Sequence, residues 1–207
     1  MGGGDELQLR EGPLQVGHHA ALPFGVQVQV DLVDQHHTGG LAGRLGAVVR
    51  IEARSPVGDV GHHDVSDHAF EQRGLLHVPV LWHHLRIHVV VAHFGLIHAS
   101  RVRQVHRLAE YLADEVPADE PLMVAGDFND WGERLDVPMR ERCGLLRAVA
   151  PAGAMAQTLT FPSRVPVFSL DRIYLRGLRC LNTMVPHGRA WARMSDHLPL
   201  LADLEPV

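Results

Sequence analysis

The amino-acid sequence predicts an α/β protein whose strands carry polar residues at their ends. Apolar, β-branched runs of strand length recur from residue 75 onward, and a long segment between them repeats its apolar residues at helical spacing. Strands that alternate with helices form layered sheets, and the ligands of such sheets bind at the carboxyl ends of the strands. The pattern therefore predicts both the fold class and the edge at which a functional site would lie.

The first elements can be assigned in chain order from the spacing of their apolar residues. Residues 26–33 alternate apolar and polar side chains as a half-buried strand does, whereas 41–51 fits either a short helix or a strand. The runs at 75–81 and 85–92 flank a polar turn, and together they predict a hairpin.

A helix and three further strands complete the assignment. Ser100 is the expected N-cap, apolar residues recur at helical spacing after it, and Pro117 stops the pattern after Val116. Further strands are expected at 121–125, 170–175 and 198–204.

Length, composition and charge exclude several classes of protein. The 207 residues are 46% hydrophobic and 21% charged, which is ordinary globular composition and excludes disorder along the whole chain. No apolar run reaches the roughly 18 residues of a membrane span, and the first residues lack the features of a secretory signal. A net charge of −5 argues against a broadly basic nucleic-acid binder. Two cysteines, Cys143 and Cys180, are too few for a disulfide framework and favour a reducing, cytoplasmic location.

Polar residues suited to catalysis stand at the ends of four apolar runs. They are His93, the pair Asp127 and Asn129, Asp171, and the pair Asp196 and His197. One aspartate at the end of a strand is more often a turn former or a helix cap than a catalytic group. Four such places in one chain, with histidines and carboxylates among them, favour a metal and acid/base site.

The text around these residues resembles, in the right order, the signatures of the endonuclease/exonuclease/phosphatase superfamily. The matching segments are Val-Ala-His-Phe-Gly-Leu at 91–96, Gly-Asp-Phe-Asn-Asp-Trp at 126–131, Leu-Asp-Arg-Ile-Tyr at 170–174 and Ser-Asp-His at 195–197. The text at 64–68, 71–77 and 160–163 resembles one bacterial branch of it. The resemblance covers about residues 63–205 and implies a DNase I-like four-layer α/β sandwich, with two mixed β-sheets flanked by helices. We expect that domain at 61–207, after an atypical segment at 1–60.

The resemblance also implies an activity and roles for residues. It implies hydrolysis of a phosphodiester or phosphomonoester that depends on Mg²⁺, with Mn²⁺ as an alternative. The substrate would be a nucleic acid, a lipid head group or a small phosphate ester, and no protein partner is indicated. His197 would be the general base or the group that polarises the phosphate, and Asp171 would orient its imidazole. By resemblance, His93 would donate a hydrogen bond or a proton to the phosphate, and Arg73 would contact it. Asp127 and Asn129 would position the water or the leaving group and also contact the metal. Asp196 would bind the metal.

The N-terminal part departs from the family pattern. The family opens with a strand that carries an Asn, and a second strand ends in Gln-Glu, but the asparagines here are Asn129 and Asn182. Glu52 ends an apolar run, yet it lies closer to the following motif than the metal-binding Glu of the family would. Two interpretations stay open: a truncated or out-of-frame beginning that lacks the first strands, or a shorter branch that builds them differently. The first predicts an irregular N-terminal segment and impaired activity.

Two other functions and one structural reading are weighed against this hypothesis. An inactive relative that binds a phosphate ligand or a partner is the main alternative. A transition-metal-binding protein is a weaker one, because adjacent histidines among the sixteen present point to opposite faces of a strand. Phe128 and Trp131 are expected to wedge the Asp127 loop against the core rather than to stack on a base.

Overall fold

Two β-sheets and a helical layer make up the described part of the protein. The computed structural model describes residues 26–32, 47–51, 59–68, 71–82, 84–149 and 158–207. The strands are β1 (Val26–Leu32), β2 (Ala47–Ile51), β3 (Gly61–Asp64), β4 (Gly74–Trp82), β5 (Leu85–His93), β6 (Leu122–Asp127), β7 (Leu146–Arg147), β8 (Asp171–Arg176), β9 (Leu178–Met184) and β10 (Leu200–Pro206). The helices are α1 (His98–Glu115), α2 (Asp136–Cys143) and the single turn α3 (Trp191–Met194).

The larger sheet is mixed and has six strands in the order β3-β4-β5-β6-β8-β7. The predicted hairpin is confirmed as the antiparallel pair β4 and β5, and β6 lies parallel to β5. A parallel pair needs a crossover connection, which α1 supplies between these two strands. The strand expected at 121–125 is therefore a central one, and all six of its residues are buried.

The smaller sheet has four strands in the order β2-β1-β10-β9, all antiparallel. The expected strand at 26–33 is confirmed as β1. For 41–51 the strand alternative is confirmed by β2 over Ala47–Ile51, and residues 41–46 lie outside the described residues. The early part of the chain thus contributes two strands to a sheet that is completed by β9 and β10. The division of the chain at residue 60 stays a prediction.

Two separate cores hold the layers together. Between the sheets, side chains such as Val89, Met123 and Ile173 pack against Leu200 and Leu204 of β10. On the other face of the six-stranded sheet, a second cluster joins its strands to α1 and α2 and includes Val90, Val124, Leu108, Leu112 and Met139. Adjacent residues of β5 and β6 enter different cores, as expected for strands covered on both faces. The layered α/β fold predicted from the sequence is confirmed.

The sequence predicts the end of helix α1 correctly but not its beginning. It begins at His98, after the N-cap position Ile97, so the prediction that Ser100 caps it is wrong. Ser100 lies buried inside the helix, and its hydroxyl donates to Asp67 Oδ2 at 2.7 Å, so a tertiary contact replaces the cap. The helix ends at Glu115, before Pro117, as the sequence predicts. Among the described residues, no helix is long and apolar enough to cross a membrane.

Candidate active site

Three neighbouring strands bring His93, Asp127 and Asp171 into one row at an edge of the larger sheet. His93 ends β5 and is the register partner of Asp127 at the end of the parallel strand β6. Asp127 in turn is the register partner of Asp171, which begins the antiparallel strand β8. The hydrophobic runs before His93 and Asp127 fix this register, because a slip of one residue would turn the buried face toward the wrong core.

Gly126 allows β6 to approach β5 at this edge. Its φ is +144°, and a Cβ placed there would lie 1.9 Å from the carbonyl oxygen of Ala92. No other residue fits this position without moving the strands, since only glycine accepts that conformation easily. The glycine of the Gly-Asp-Phe-Asn motif therefore sets the spacing between the strands that carry His93 and Asp127.

The loop after β6 is fixed by hydrogen bonds of Asn129. Its backbone N–H donates to Asp127 Oδ1 at 2.7 Å, and its Nδ2 donates to the carbonyl oxygen of Phe94 at 2.9 Å. Asn129 has a φ of +47°, a left-handed conformation that asparagine tolerates better than most residues. Asn129 therefore joins the ends of β5 and β6 and orients one carboxylate oxygen of Asp127.

His197 reaches the row from the segment that precedes β10. Its Nδ1 lies 2.8 Å from Asp171 Oδ2, so the expected contact between these two residues is present. Two backbone hydrogen bonds anchor the segment: Ser163 N–H donates to the Asp196 carbonyl at 2.7 Å, and Leu198 N–H to the Thr160 carbonyl at 2.8 Å. Because Nδ1 faces Asp171, Nε2 is the ring nitrogen that does not contact this carboxylate.

Burial and neighbouring charges set the protonation of the site. Burial, followed by the charge of Asp171, raises the pKa of Asp127 to about 7. Burial opposes the charged form of His197, but the hydrogen bond and charge of Asp171 outweigh it and raise its pKa to about 9. Burial, and then the charge of Arg73, lower the pKa of His93 to about 4. Near neutral pH the site therefore combines the charged imidazole of His197, the neutral imidazole of His93 and the carboxyl of Asp127, which titrates there.

Arg73 lies close enough to act electrostatically on both His93 and Asp127. Its Nη2 donates to Glu71 Oε1, while its buried Nε has no hydrogen-bond partner in the structure. Glu71 also accepts from the Leu96 N–H at 3.3 Å, which ties it to the segment after β5. Arg73 is thus held beside the row with a donor to spare, although its phosphate contact stays a prediction.

The donors of the site suit a hard divalent cation in chemistry but are few in number. Asp127 and Asp171 supply carboxylate oxygens, and the buried Oδ1 of Asp171 accepts no hydrogen bond. Asp196 is exposed and lies near enough to raise the pKa of His197. Among the described residues, no three His, Cys, Asp or Glu side chains converge closely enough to hold a metal ion. The predicted ligands Asp196, Asp127 and Asn129 therefore do not enclose an ion by themselves.

A buried ion pair beneath the site was missed from the sequence. Arg172 Nη1 lies 2.7 Å from Asp130 Oδ2, and both side chains are fully buried. Asp130 also accepts the Leu135 N–H at 2.8 Å, and Arg172 Nη2 donates to the Asp130 carbonyl oxygen. Asp130 follows Asn129 in the Gly-Asp-Phe-Asn-Asp motif, and Arg172 follows Asp171 in the Leu-Asp-Arg motif. These positions next to predicted site residues were the sequence signal that could have indicated the pair. The pair locks the loop after β6 to β8.

The two aromatic residues of the loop behave differently. Phe128 is fully buried and packs edge to face against Phe94 and Tyr174, which confirms the expectation that it wedges the loop against the core. Trp131 is 42% exposed, so the same expectation is wrong for it. Phe128 follows the strand directly into the interior, whereas Trp131 lies beyond the turn that Asn129 makes.

A mixed sheet packed on a second sheet, with a histidine–aspartate pair above a row of polar strand ends, defines a class of layered α/β proteins. Within that class the chain belongs to the endonuclease/exonuclease/phosphatase family, whose sequence model matches residues 8–197. This match begins well before residue 63, where the motif resemblance starts. It therefore extends the family relationship into the N-terminal part of the chain.

Similar proteins share this family relationship or this fold. The uncharacterized protein YbhP of Escherichia coli is 36% identical over 155 residues, which are 73% of this chain and 60% of YbhP. The chain thus spans less than two thirds of the length of the curated relatives it matches. An endonuclease/exonuclease/phosphatase from Bacteroides vulgatus has a TM-score of 0.66 at 20% identity, over 89% of this chain and 77% of that one. A mannosyl-6-phosphatase from Bacteroides thetaiotaomicron has a TM-score of 0.62 at 16% identity, over 88% and 78%. At these identities the two structures show a shared fold.

Proposed function

We propose that this protein hydrolyses phosphoric esters. The observation that carries the proposal is the contact between His197 and Asp171, placed above the row that His93 and Asp127 complete. An imidazole held by a carboxylate, beside a second carboxylate and a second imidazole, supplies the proton donors and acceptors that the reaction needs. Membership of a family named for nucleases and phosphatases supports the same reaction. So does the fold shared with a protein named as a mannosyl-6-phosphatase.

In the proposed mechanism His197 binds and polarises the phosphate. Its Nδ1–H donates to Asp171, which fixes the ring, while Nε2–H donates to a non-bridging phosphate oxygen. The raised pKa of His197 favours the charged form, and this supports the polarising role over that of general base. Asp127 is oriented by the Asn129 N–H, and its carboxylate would accept the proton of the attacking water.

The remaining residues orient the substrate and the nucleophile. Neutral His93 would donate a hydrogen bond to the phosphate, and the guanidinium of Arg73 would hold another oxygen. Asn129 keeps Asp127 in place through its backbone N–H. These roles follow from the side chains that surround one point at the edge of the sheet.

We propose that Mg²⁺, or Mn²⁺ in its place, takes part through Asp196, Asp127 and Asn129. A divalent cation would supply charge that stabilises the phosphate oxygens as the bond to the leaving group breaks. We expect weak affinity and a high concentration for half-saturation, because the sequence lacks the Gln-Glu signature that supplies the metal-binding Glu of the family.

The test is hydrolysis of p-nitrophenyl phosphate and bis(p-nitrophenyl) phosphate by the full chain across a Mg²⁺ titration. His197→Ala should lower the rate by roughly 10²–10³-fold, the range for the loss of one donor to the charge that develops in the transition state. His62→Ala, which changes an exposed histidine on β3, should leave the rate as it was. Hydrolysis that persists in His197→Ala would contradict the mechanism, and a rate independent of Mg²⁺ would contradict the role of the cation.

An inactive relative that binds a phosphate ligand is the second candidate. The sequence lacks the Asn-bearing first strand and the Gln-Glu ending of the second strand that the family pattern has, which favours this candidate. Binding of inorganic phosphate that is lost in His197→Ala, in a protein that hydrolyses neither ester at saturating Mg²⁺, would support this candidate. For either function we propose a reducing, cytoplasmic location, since Cys143 and Cys180 are both free thiols.

A further inference from the structure

Glu71 connects Arg73 to the backbone that follows His93. Its Oε1 accepts a hydrogen bond from Arg73 Nη2 and another from the Leu96 N–H, at 3.3 Å. Burial disfavours the charge of Glu71, but the hydrogen bond from Arg73 outweighs it and lowers the pKa of this carboxyl. A charged carboxylate thus joins Arg73 to the segment after His93, and both of these residues are proposed to contact the phosphate.

Gly95 leaves open the space that the Glu71 carboxylate occupies. A Cβ at Gly95 would lie 2.6 Å from Glu71 Oε2, too close for two atoms that are not bonded, but 3.5 Å from Gln104 Nε2, which is an ordinary contact. The Gly95 N–H donates to Gln104 Oε1 at 2.9 Å and so fixes the glycine against helix α1. A side chain at this position would therefore displace the end of Glu71 rather than the helix.

The backbone of Arg73 is held independently of Glu71. Its N–H donates to Ser66 Oγ at 2.7 Å, and its carbonyl oxygen accepts from the Val65 N–H at 2.9 Å. Within the part of the chain that the structure describes, Glu71 is the only group that hydrogen-bonds the guanidinium. A long arginine side chain loses rotamer freedom when it binds a ligand, and a carboxylate that holds it beforehand reduces this cost.

We infer that Glu71 is a positioning residue, which orients the guanidinium of Arg73 toward the phosphate from the space that Gly95 leaves open. This inference rests on the proposed function and adds a residue to the same site. By its charge alone a carboxylate disfavours a phosphate anion nearby. Glu71 can therefore favour phosphate binding only through the orientation that it gives to Arg73.

The test is calorimetric titration of the full chain with inorganic phosphate in saturating Mg²⁺, together with KM for p-nitrophenyl phosphate. Arg73→Ala should weaken phosphate binding roughly 10–100-fold, the range for a hydrogen bond to a charged group. Glu71→Gln keeps the shape of the side chain and an oxygen for the Leu96 N–H, but it loses the charge that holds the guanidinium. It should weaken binding and raise KM about fivefold, whereas the loss of a negative charge alone would tighten binding.

A second variant and a double-mutant cycle separate orientation from a loss of structure. Gly95→Ala displaces the Glu71 carboxylate without removing it, and it should weaken phosphate binding as Glu71→Gln does. In an Arg73→Ala background, Glu71→Gln should change binding by less than about twofold, because no guanidinium is left to orient. A weakening by Glu71→Gln that persists in that background would show a purely structural role and would overturn the inference.

Glu205→Gln is the matched control. Glu205 of β10 pairs with Arg179 of β9 in the smaller sheet, and its change should leave phosphate binding and KM as in the wild type. If p-nitrophenyl phosphate is not hydrolysed, the hydrolase function fails and the phosphate titration alone decides on Glu71. Unchanged or tighter binding in Glu71→Gln, or a wild-type chain that binds no phosphate, would contradict the positioning role.

Discussion

Towards each of its two ends β5 carries a histidine close to a carboxylate: His88 is buried, and His93 is half-buried. Comparing the two separates a candidate site from a structural contact. At the amino end His88 belongs to a chain of hydrogen bonds that runs from Tyr111 through His77 and His88 to Glu120. At the carboxyl end His93 lies 3.6 Å from Asp127, beyond an ordinary hydrogen bond. A histidine next to a carboxylate is thus fully hydrogen-bonded at one end of the strand and not at the other.

At the amino end every ring nitrogen of the two imidazoles has a partner. His77 Nδ1 lies 3.0 Å from the Tyr111 hydroxyl, and its Nε2 lies 2.8 Å from His88 Nδ1. With both rings neutral, each bond holds one hydrogen: Tyr111 donates to His77, His77 donates to His88, and His88 donates to Glu120. A fully satisfied chain of this kind stabilises the fold and leaves no donor for a ligand.

At the carboxyl end donors and acceptors remain unused. Asp171 Oδ1 and Arg73 Nε are buried without a hydrogen-bond partner. Burial, and then the charge of Asp171, raise the pKa of Asp127, which means that the charged carboxylate costs the fold free energy there. Unsatisfied and mutually repelling groups are typical of sites that are completed by a substrate or an ion. The difference between the ends is that both imidazoles at the amino end are fully paired, whereas the carboxyl end keeps the Oδ1 of Asp171 without a hydrogen-bond partner and His93 at 3.6 Å from Asp127.

The largest expected effect is on activity at the carboxyl end. Asp127→Asn should lower hydrolysis by roughly 10²–10⁴-fold, because it removes the proposed proton acceptor. The folded carboxyl has a pKa of about 7, above its ordinary value of 3.8, so its charge destabilises the fold at pH 8. The same change should therefore keep or raise stability at pH 8. The rate of hydrolysis and the free energy of unfolding from urea denaturation are measured on the same variant. A large loss of stability at pH 8 would contradict the claim that the charged Asp127 destabilises the fold.

The next effect is the loss of the buried ion pair beneath that end. Asp130→Ala leaves the buried charge of Arg172 with only the more distant and more exposed Asp136, 3.5 Å away, and should lower the free energy of unfolding by about 3 kcal/mol. Urea denaturation measures it. The double variant Asp130→Leu with Arg172→Met should recover much of the loss, because no buried charge then remains. A loss under about 1 kcal/mol for Asp130→Ala would show that water reaches the pair, against the burial described.

A smaller effect is expected at the amino end. His88→Ala removes the middle of the hydrogen-bonded chain and leaves His77 and Glu120 without a partner there. The free energy of unfolding should fall by about 1–3 kcal/mol, the cost of stranded buried polar groups. Hydrolysis at a temperature where the variant is folded should stay within about twofold of wild type. A loss of activity comparable to that of Asp127→Asn would erase the distinction between the two ends.

The smallest effect is a dependence of stability on pH. Burial, and then the charge of His88, lower the pKa of His77 below its ordinary value of 6.5. The unfolded chain then binds more protons than the folded one as the pH falls through 6.5, so stability is lost on acidification. One such group contributes at most about 1.4 kcal/mol per pH unit. Denaturation at pH 7.5 and 5.5 should show a smaller fall for His77→Gln than for wild type, and equal falls would contradict the lowered pKa.

Elements with a regular apolar period were predictable from the sequence. The hairpin of β4 and β5, the helix that ends before Pro117 and the strand before Asp127 each follow from spacing within a few residues. The contact of His197 with Asp171 was expected from the family resemblance, and the structure contains it. The start of α1 was not predictable in this way, because the hydroxyl of Ser100 has a partner thirty-three residues away, in Asp67.

The sequence by itself determined the order of the elements and which residues stand at the ends of the strands, since both depend on neighbours along the chain. Only the tertiary structure decided which side chains those residues contact. Asp130 and Arg172 are 42 residues apart, and Tyr111 and His77 are 34 apart. Whether such groups pair, remain unsatisfied or stay open to solvent, as Trp131 does, depends on strand register and on the packing of layers. That register is a property of the assembled sheet, because each strand aligns with its neighbours through the buried faces they share.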